Sequence, residues 1–158
     1  MAKPPEQVAE FLSKRNIGVA GVSRHPGQPA NAVYQKLKAT GHRVFAINPN
    51  ASQVEGDPCY ADLRSIPEPV EAVVIATHPN DSLKIVRECA DIGIRDVWFH
   101  RSFGQGSVSE DAVRECESRG IACLIGGCPL MYCEPVDFGH RCMRWVLKLQ
   151  KRIPGGEA

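Results

Sequence analysis

The sequence has almost no net charge, because its 158 residues include 19 Lys and Arg against 18 Asp and Glu. Proteins that bind nucleic acid through its phosphates present a clear excess of positive charge. We therefore expect no nucleic-acid partner. The chain also lacks any run near the ~18 apolar residues that cross a bilayer, and no apolar run follows Met1 as in a signal peptide. These absences predict a cytoplasmic protein with no membrane partner.

Cysteine pairs at the spacing of metal ligands are also missing. The chain has seven cysteines, an odd number, and no two of them form a C-x-x-C pair. Zinc ligands usually arrive as such closely spaced pairs. Only Cys128 and Cys133 come near that spacing, with Pro129 between them. We therefore expect free thiols and no metal.

Apolar runs of strand length alternate with longer amphipathic segments, which is typical of βαβ units around a parallel sheet. Strands are predicted at 17–22, 43–47, 72–76, 96–99 and 121–125. Helices are predicted at about 8–14, 30–40, 79–92, 107–120 and 137–150. The pattern predicts an α/β fold: a Rossmann-like, doubly wound parallel sheet of five strands in the order 3-2-1-4-5. We expect one domain over residues 1–158, with its core from about 8 to 135.

Two of the helices carry a further local signal. Ser107 and Glu110 have the S-x-x-E spacing of a capping box, which predicts that the fourth helix begins there. Apolar side chains recur at helical spacing in the last helix, and we expect this stripe to pack on the domain. The stripe consists of Phe138, Cys142, Trp145, Val146 and Leu149.

Ligands of open parallel sheets bind at the carboxyl ends of the strands, so the loops there are the candidate site. The first loop contains Gly21, Ser23 and Arg24, and small residues before a helix let backbone amides approach a pyrophosphate. Its glycines are more loosely spaced than the G-x-G-x-x-G of dinucleotide-binding proteins. The second loop, Asn48-Pro49-Asn50, lacks the acidic residue that binds the ribose of NAD. An NAD(P)-dependent oxidoreductase is therefore the alternative and not the leading hypothesis.

The third and fourth loops leave alternatives open. His78 is either a general base or a polar residue that shapes the rim of the site. Phe103 either stacks on a base or belongs to the core, and Gly104 follows it. Cys128 comes directly after the fifth strand, where its thiol either meets the thiol of a bound ligand or fills space below the loop. No nucleophile, base and orienting residue can be recognised together, so we predict no catalytic residue.

Several different short motifs are distributed along most of the chain, from about Val8 to Pro135. They are Ala20-Gly21-Val22-Ser23, Asn48-Pro49, Gly56 with Cys59-Tyr60-Ala61-Asp62-Leu63, Ile66-Pro67, and Gly127-Cys128-Pro129. Together they resemble the family of small stand-alone coenzyme A (CoA)-binding proteins. That family is similar to the N-terminal CoA-binding domain of the succinyl-CoA synthetase α subunit.

The resemblance implies that CoA or an acyl-CoA lies across the strand ends. Its phosphates would contact the first loop and its nucleotide the second, and the third and fourth loops also match those of the family. The implied binding residues are Gly21, Val22, Ser23, Arg24, Asn48, Pro49, Thr77, His78, Pro79, Phe103 and Gly104, to which its position adds Cys128.

Two departures from the family pattern limit the expected activity. Many members have a basic residue where this chain has Asn50, so Arg24, His25 or Arg101 would have to replace it beside the CoA 3′-phosphate. The synthetase also needs a second domain with a phosphorylated histidine, which this sequence does not contain. We therefore expect a CoA-binding module without ligase activity. A regulatory subunit that docks on a CoA-using enzyme through its last helix is a further alternative.

Overall fold

The computed structural model describes residues 3–101 and 104–154, which form one mixed sheet with helices on both faces. The strands are β1 (Asn16–Ala20), β2 (Arg43–Ile47), β3 (Gln53–Val54), β4 (Asp57–Tyr60), β5 (Ala72–Ile75), β6 (Asp96–Phe99) and β7 (Ala122–Ile125). The helices are α1 (Glu6–Ser13), α2 (Pro29–Ala39), α3 (Pro79–Asp91), α4 (Glu110–Arg119) and α5 (Phe138–Leu149), with a 3₁₀ turn at Pro129–Met131. The Rossmann-like α/β class predicted from the sequence is confirmed, and each predicted strand and helix is present within a few residues.

The predicted number and order of strands are wrong. The sheet has seven strands in the order β3-β4-β2-β1-β5-β6-β7, where five in the order 3-2-1-4-5 were expected. The strand expected at the edge beyond β2 is β5, and it pairs with β1 instead, with Ile17 opposite Ala72. The reason is that β4 already occupies that edge, where Ala46 of β2 pairs with Cys59. β5 can therefore pair only on the other side of β1.

The two additional strands are a tight hairpin. Val54 pairs antiparallel with Asp57, and only Glu55 and Gly56 connect them. Both connecting residues have positive φ, 49° and 80°. A two-residue hairpin with positive φ at both positions matches the right-handed twist of strands. The hairpin therefore forms locally, and β4 then extends the parallel sheet.

The fourth helix begins two residues later than the capping box predicts. The N-cap is Ser109, whose hydroxyl accepts a hydrogen bond from the amide of Ala112. Ser107 is buried, and its carbonyl accepts a 2.6 Å hydrogen bond from the hydroxyl of Ser82 in α3. Ser107 therefore joins two helices instead of starting one. Gly120 ends α4 in the left-handed conformation, as Gly at this position commonly does.

Each face of the sheet is covered by its own set of helices. Residues of α1, α2 and α5 pack on one face, where Trp98 meets Phe11 edge to face at 5.3 Å between ring centroids. Residues of α3 and α4 pack on the other face. Apolar strands buried on both faces are the usual state of a parallel sheet. No helix in the described residues is long and apolar enough to cross a membrane.

The expectation that the apolar stripe of α5 packs on the domain is wrong for its largest members. Phe138, Trp145 and Leu149 are 79%, 65% and 66% exposed. The residue of α5 that is fully buried is Leu147, which joins the core cluster beside Tyr132. The helix therefore carries two apolar stripes, and the one with larger side chains faces outward.

Candidate functional site

A cavity of about 430 Å³ opens at the carboxyl ends of β1, β2 and β5. β1 and β5 are neighbours in the sheet, but α2 and α3, the helices that follow them, pack on opposite faces. The two chain segments therefore diverge at this point and leave a crevice between them, which is where open α/β sheets bind ligands. Five of the residues expected at the site line it, namely Gly21, Asn48, Pro49, Thr77 and His78.

Gly21 brings the first loop against the start of the third. Its φ is +97°, and a Cβ at this position would lie 2.4 Å from the carbonyl oxygen of Ala76. The amide of Gly21 donates to the carbonyl of Ile47, at 3.0 Å, and so links the loop to β2 as well. Glycine is required here both for the positive φ and for the close approach of two backbones.

Two asparagine side chains hold the rest of the first loop. Oδ1 of Asn31 accepts from the amide of Ser23 at 2.9 Å, and its Nδ2 donates to the carbonyl of Ser23 and to Glu55. Nδ2 of Asn48 donates to the carbonyl of Val22 at 2.9 Å, while its Oδ1 accepts from the amide of Asn50. Asn48 therefore lines the cavity but uses its amide group to fix the loops.

Thr77 places a buried hydroxyl at the cavity. Its Oγ1 is inaccessible to solvent and has no hydrogen-bond partner within residues 3–101 and 104–154. A buried hydroxyl without a partner is costly, so most such groups in proteins are satisfied by water or a ligand. The Thr77 hydroxyl is therefore an unsatisfied polar group beside the cavity, and a rotation of this half-buried side chain would bring it to a ligand.

His78 is the N-cap of α3. Its Nδ1 accepts from the amide of Asn80 at 3.3 Å, and Pro79 occupies the first helical position. Nδ1 of the His78 ring is therefore occupied by the hydrogen bond that caps the helix. Of the two alternatives for His78, the geometry favours the residue that shapes the rim.

The other expected site residues lie outside the lining of the cavity. Val22 is fully buried in the core, while Ser23 and the exposed Arg24 continue the first loop beyond the cavity. Gly104 is exposed and its carbonyl accepts from Arg101. Phe103 lies outside the described residues.

Cys128 is not at the accessible rim that its sequence position suggested. It is 1% exposed and packs in the core cluster with Met131 and Tyr132. Burial raises the pKa of its thiol to about 12, opposite to the lowered pKa that thiol exchange needs. Of the two alternatives left open by the sequence, the structure favours the residue that fills space. Within the described chain, Cys142 is the cysteine whose side chain is exposed.

Sequence reasoning missed the contribution of α3 to the cavity. Asp81, Lys84 and Glu88 all line it, and their spacing of three and four residues places them on one face of the helix. That polar stripe, directly after a strand end, is the signal that could have identified them. Oε1 of Glu88 accepts from the amides of Leu63 and Arg64 and so holds the loop after β4.

The charges around the cavity are unevenly distributed. The carboxylates of Asp62 and Asp81 lie at the end formed by α3 and the loop after β4, with the ammonium of Lys84. The first loop has no acidic residue from Gly21 to Pro29, and it contains the exposed Arg24. Anionic groups of a ligand are therefore favoured on the first-loop side.

The fold and the cavity together define a Rossmann-like ligand-binding domain. The chain belongs to the CoA binding domain family, whose model matches residues 15–134. The resemblance to CoA-binding proteins seen in the sequence motifs is thereby confirmed.

Similar proteins include ADP-forming acetate–CoA ligases of archaea. The chain is 30% identical over 88 residues to acetate–CoA ligase [ADP-forming] II of Archaeoglobus fulgidus, covering 54% of this chain and 13% of that protein. It is 27% identical over 106 residues to the α subunit of acetate–CoA ligase [ADP-forming] II of Pyrococcus furiosus, covering 66% of this chain and 23% of the subunit. The chain therefore matches less than a quarter of the length of either relative.

A solved structure similar over nearly the whole chain is that of Prb, a protein redesigned for binding. The TM-score is 0.73 at 25% identity, and the match covers 99% of this chain and 96% of Prb. The similarity therefore includes α5 as well as the sheet.

Proposed function

We propose that the cavity at the ends of β1 and β5 binds coenzyme A, either free or as an acyl-CoA. The observation that carries the proposal is the unpartnered hydroxyl of Thr77, which lies beside the backbone contact between Gly21 and Ala76. An open crevice, a close backbone approach and an unused hydroxyl fit a ligand that offers phosphates and amides as hydrogen-bonding groups. Membership of the CoA binding domain family supports the same ligand.

The distribution of charge supports one orientation of that ligand. The first loop, from Gly21 to Arg24, is the place for the phosphates, because it has no acidic residue and contains the exposed guanidinium of Arg24. The ammonium of Lys84 lines the cavity and can meet the remainder of the molecule, and a rotation of the Thr77 side chain would bring its hydroxyl there as well. Coenzyme A supplies a thiol that carries acyl groups as thioesters, and the residues of this chain bind and orient it.

We propose a binding role without a catalytic step in this chain. His78, the candidate base, caps α3 with Nδ1, and the buried Cys128 has a raised pKa. Because the Pyrococcus relative is a subunit, we further propose that a protein partner acts with this chain and that α5 contributes to the contact. The free cysteines of the described chain support action in the cytoplasm, where thiols stay reduced.

Calorimetric titration with CoA, acetyl-CoA and NAD tests the ligand. CoA is expected to bind and to raise the melting temperature; at ~100 Kd it adds about 2.7 kcal/mol to the free energy of unfolding. NAD is the demanding control, since Asp62 lies at the cavity and a carboxylate there could meet a ribose. Equal stabilisation by NAD, or no heat with CoA or acetyl-CoA at millimolar concentration, would show that the proposed ligand is wrong.

The Arg24→Ala variant tests the orientation. Hydrogen bonds to charged groups contribute about 1.5–3 kcal/mol, so loss of a phosphate contact is expected to weaken CoA binding about tenfold or more. Arg95→Ala is the matched control, because Arg95 is exposed and precedes β6 at the opposite end of the sheet. If both variants bind CoA as the parent does, the phosphates do not lie at Arg24.

A further inference from the structure

A second concave surface lies on the outer side of α5. It is a groove of about 720 Å³ between α5, residues 3–5 and residues 153–154. Phe138, Cys142 and Trp145 line it, and Leu149 continues the same stripe. These four side chains are spaced by four, three and four residues, so they form one seam that runs about 16 Å along the helix. Large apolar side chains exposed in one row on a folded surface mark an interaction site.

The helix that presents this seam is fixed on the domain. Leu147 is fully buried on its inner side. Arg144 donates to the carbonyl of Met131 at 2.9 Å, and its guanidinium lies 5.6 Å from the centre of the Tyr132 ring. The N-cap is also satisfied, since Asp137 accepts from the amide of His140. The exposed seam is therefore a stable surface and not the side of a frayed helix.

The charges around the groove have one sign. Lys3, Arg141, Arg144 and Lys148 line it, and no carboxylate does so within the described chain. α5 itself contains no Asp or Glu from Phe138 to Leu149. An occupant must therefore bring apolar side chains for the floor of the groove and negative charge for its edges.

We propose that this groove, hereafter the α5 groove, is the docking site for an acidic amphipathic helix of a protein partner. The seam has the spacing with which one helix packs along another. A second copy of this chain would place the same cations against each other, which charge repulsion disfavours. A membrane is flat, whereas residues 3–5 and 153–154 form walls around the seam. The proposal rests on the partner contact at α5 proposed above and names its chemistry, but it does not depend on CoA binding, since the cavity at the strand ends is separate.

Selection from a peptide library tests the stated chemistry directly. The library holds helical peptides of about 18 residues, roughly five turns, with fixed apolar positions at seam spacing and randomised polar positions. Selection on the full chain is expected to enrich Asp and Glu at the randomised positions. A parallel selection on the double variant Arg141→Glu, Lys148→Glu should lose this enrichment. Enrichment of basic or uncharged peptides, or none at all, would overturn the proposal.

The two tryptophans make the binding site of a selected peptide measurable. Trp98 is fully buried and donates from Nε1 to the carbonyl of Gly126, whereas Trp145 is 65% exposed on the seam. Peptide binding at the groove is expected to shift the emission of Trp145 to shorter wavelength. The Trp98→Phe variant keeps that signal. A peptide that binds without changing the emission of Trp145 does not lie on the seam, and the proposal then fails.

Substitutions at the groove separate the contribution of its apolar side chains to peptide binding from that of its positive charges. Phe138→Ala is expected to weaken binding of the peptide about tenfold or more, as for a large apolar side chain that becomes buried in an interface. The double change Arg141→Glu with Lys148→Glu should do the same and remove the salt dependence. Ile92→Ala and Arg95→Glu are matched controls on an exposed apolar and an exposed basic residue elsewhere. All five side chains are exposed, so equal melting temperatures will show that folding is intact.

Two other occupants are measured on the same protein. Sedimentation equilibrium of the chain and of Trp145→Ala reports self-association through the groove. Binding to phosphatidylcholine vesicles containing about a quarter phosphatidylserine reports attraction to an anionic membrane. We expect a monomer and no vesicle binding at physiological salt. A dimer that Trp145→Ala abolishes, or vesicle binding that shifts the emission of Trp145, would replace the partner helix by that occupant.

Discussion

The cavity at the strand ends and the α5 groove are both concave, but different parts of the chain shape them. The cavity is a product of the backbone, because β1 and β5 diverge there and Gly21 leaves room for two backbones to meet. The α5 groove is a product of side chains, since Phe138 and Trp145 of α5 line it between the walls formed by residues 3–5 and 153–154. Adding atoms at Gly21 is therefore expected to close the cavity, whereas shortening Phe138 or Trp145 is expected to remove the α5 groove.

The largest expected effect follows from adding one methyl group at the cavity. Gly21→Ala brings a Cβ to 2.4 Å from the Ala76 carbonyl oxygen, which must move and take Thr77 with it. Gly27→Ala is the matched control, because Gly27 has a similar φ of +84° but no atom within 4 Å of the added Cβ. Both variants carry a strain of about 1–3 kcal/mol.

Gly21→Ala is expected to lose about 1–3 kcal/mol more in urea unfolding than Gly27→Ala, as for overpacking. It should also weaken CoA binding more than tenfold, about 1.4 kcal/mol. The contact with the Ala76 backbone makes a loss of both stability and affinity the expected result. Equal stabilities of the two variants would mean that the backbones at β1 and β5 move apart easily.

A smaller effect is expected from removing the one hydroxyl that the cavity leaves without a partner in the described chain. Thr77→Val keeps the shape of the side chain but deletes Oγ1, which is buried and unpartnered. The free energy of unfolding of the ligand-free protein is expected to stay the same or rise, since a desolvated polar group is lost. The affinity for CoA should fall by about 0.5–1.5 kcal/mol, roughly two- to tenfold.

Thr40→Val provides the opposite pattern as a control. The Thr40 hydroxyl donates to the carbonyls of Lys36 and Leu37 at the end of α2, away from the cavity. Its removal is expected to lower stability and leave CoA affinity unchanged. A Thr77→Val protein that behaves like Thr40→Val would assign the Thr77 hydroxyl a structural role and remove it from the site.

The contrast between the two regions also explains what the sequence could predict. The strand and helix positions follow from local signals, such as the buried run of β5 and Pro79 at the start of α3. The first loop was identified because a strand, a glycine and a helix follow one another there. The position of the cavity followed from the α/β class, since such sheets bind ligands at their carboxyl ends.

The errors come from choices that local sequence does not determine. The strand order depends on which strand pairs with the free edge of β2. Two residues of β4 pair there, so that edge is not open to β5. The role of Asn31 was missed because its partners, Ser23 and Glu55, are 8 and 24 residues away in the chain and only the fold brings them to its amide. In α5, helical periodicity identified an apolar stripe. Leu147 lies on the other side of the helix, and its burial turns that side toward the core and the stripe toward solvent.

The smallest expected effect concerns His100, which lies between the two regions. Its amide donates to the carbonyl of Ile75 at the end of β5, at 2.9 Å. The pKa of its imidazole is lowered, first by burial and second by the charge of His140 in α5. The folded protein therefore favours neutral His100, while the unfolded chain takes up its proton near the ordinary pKa of about 6.5.

This difference gives stability a defined dependence on pH. A group whose pKa is lowered by folding contributes its full stability above its unfolded pKa, and that contribution is lost as pH falls toward the folded pKa. We expect the free energy of unfolding to decrease as pH falls below about 6.5, and His100→Gln to flatten that decrease. Asp137 also has a lowered pKa, because the backbone and ring of His140 donate to it, but its contribution is lost only below the ordinary range of a carboxyl.

Urea unfolding at successive pH values compares the parent, His100→Gln and, as a control, His25→Gln in the exposed first loop. Parallel curves for the parent and His100→Gln would show that the half-buried His100 imidazole does not control acid stability.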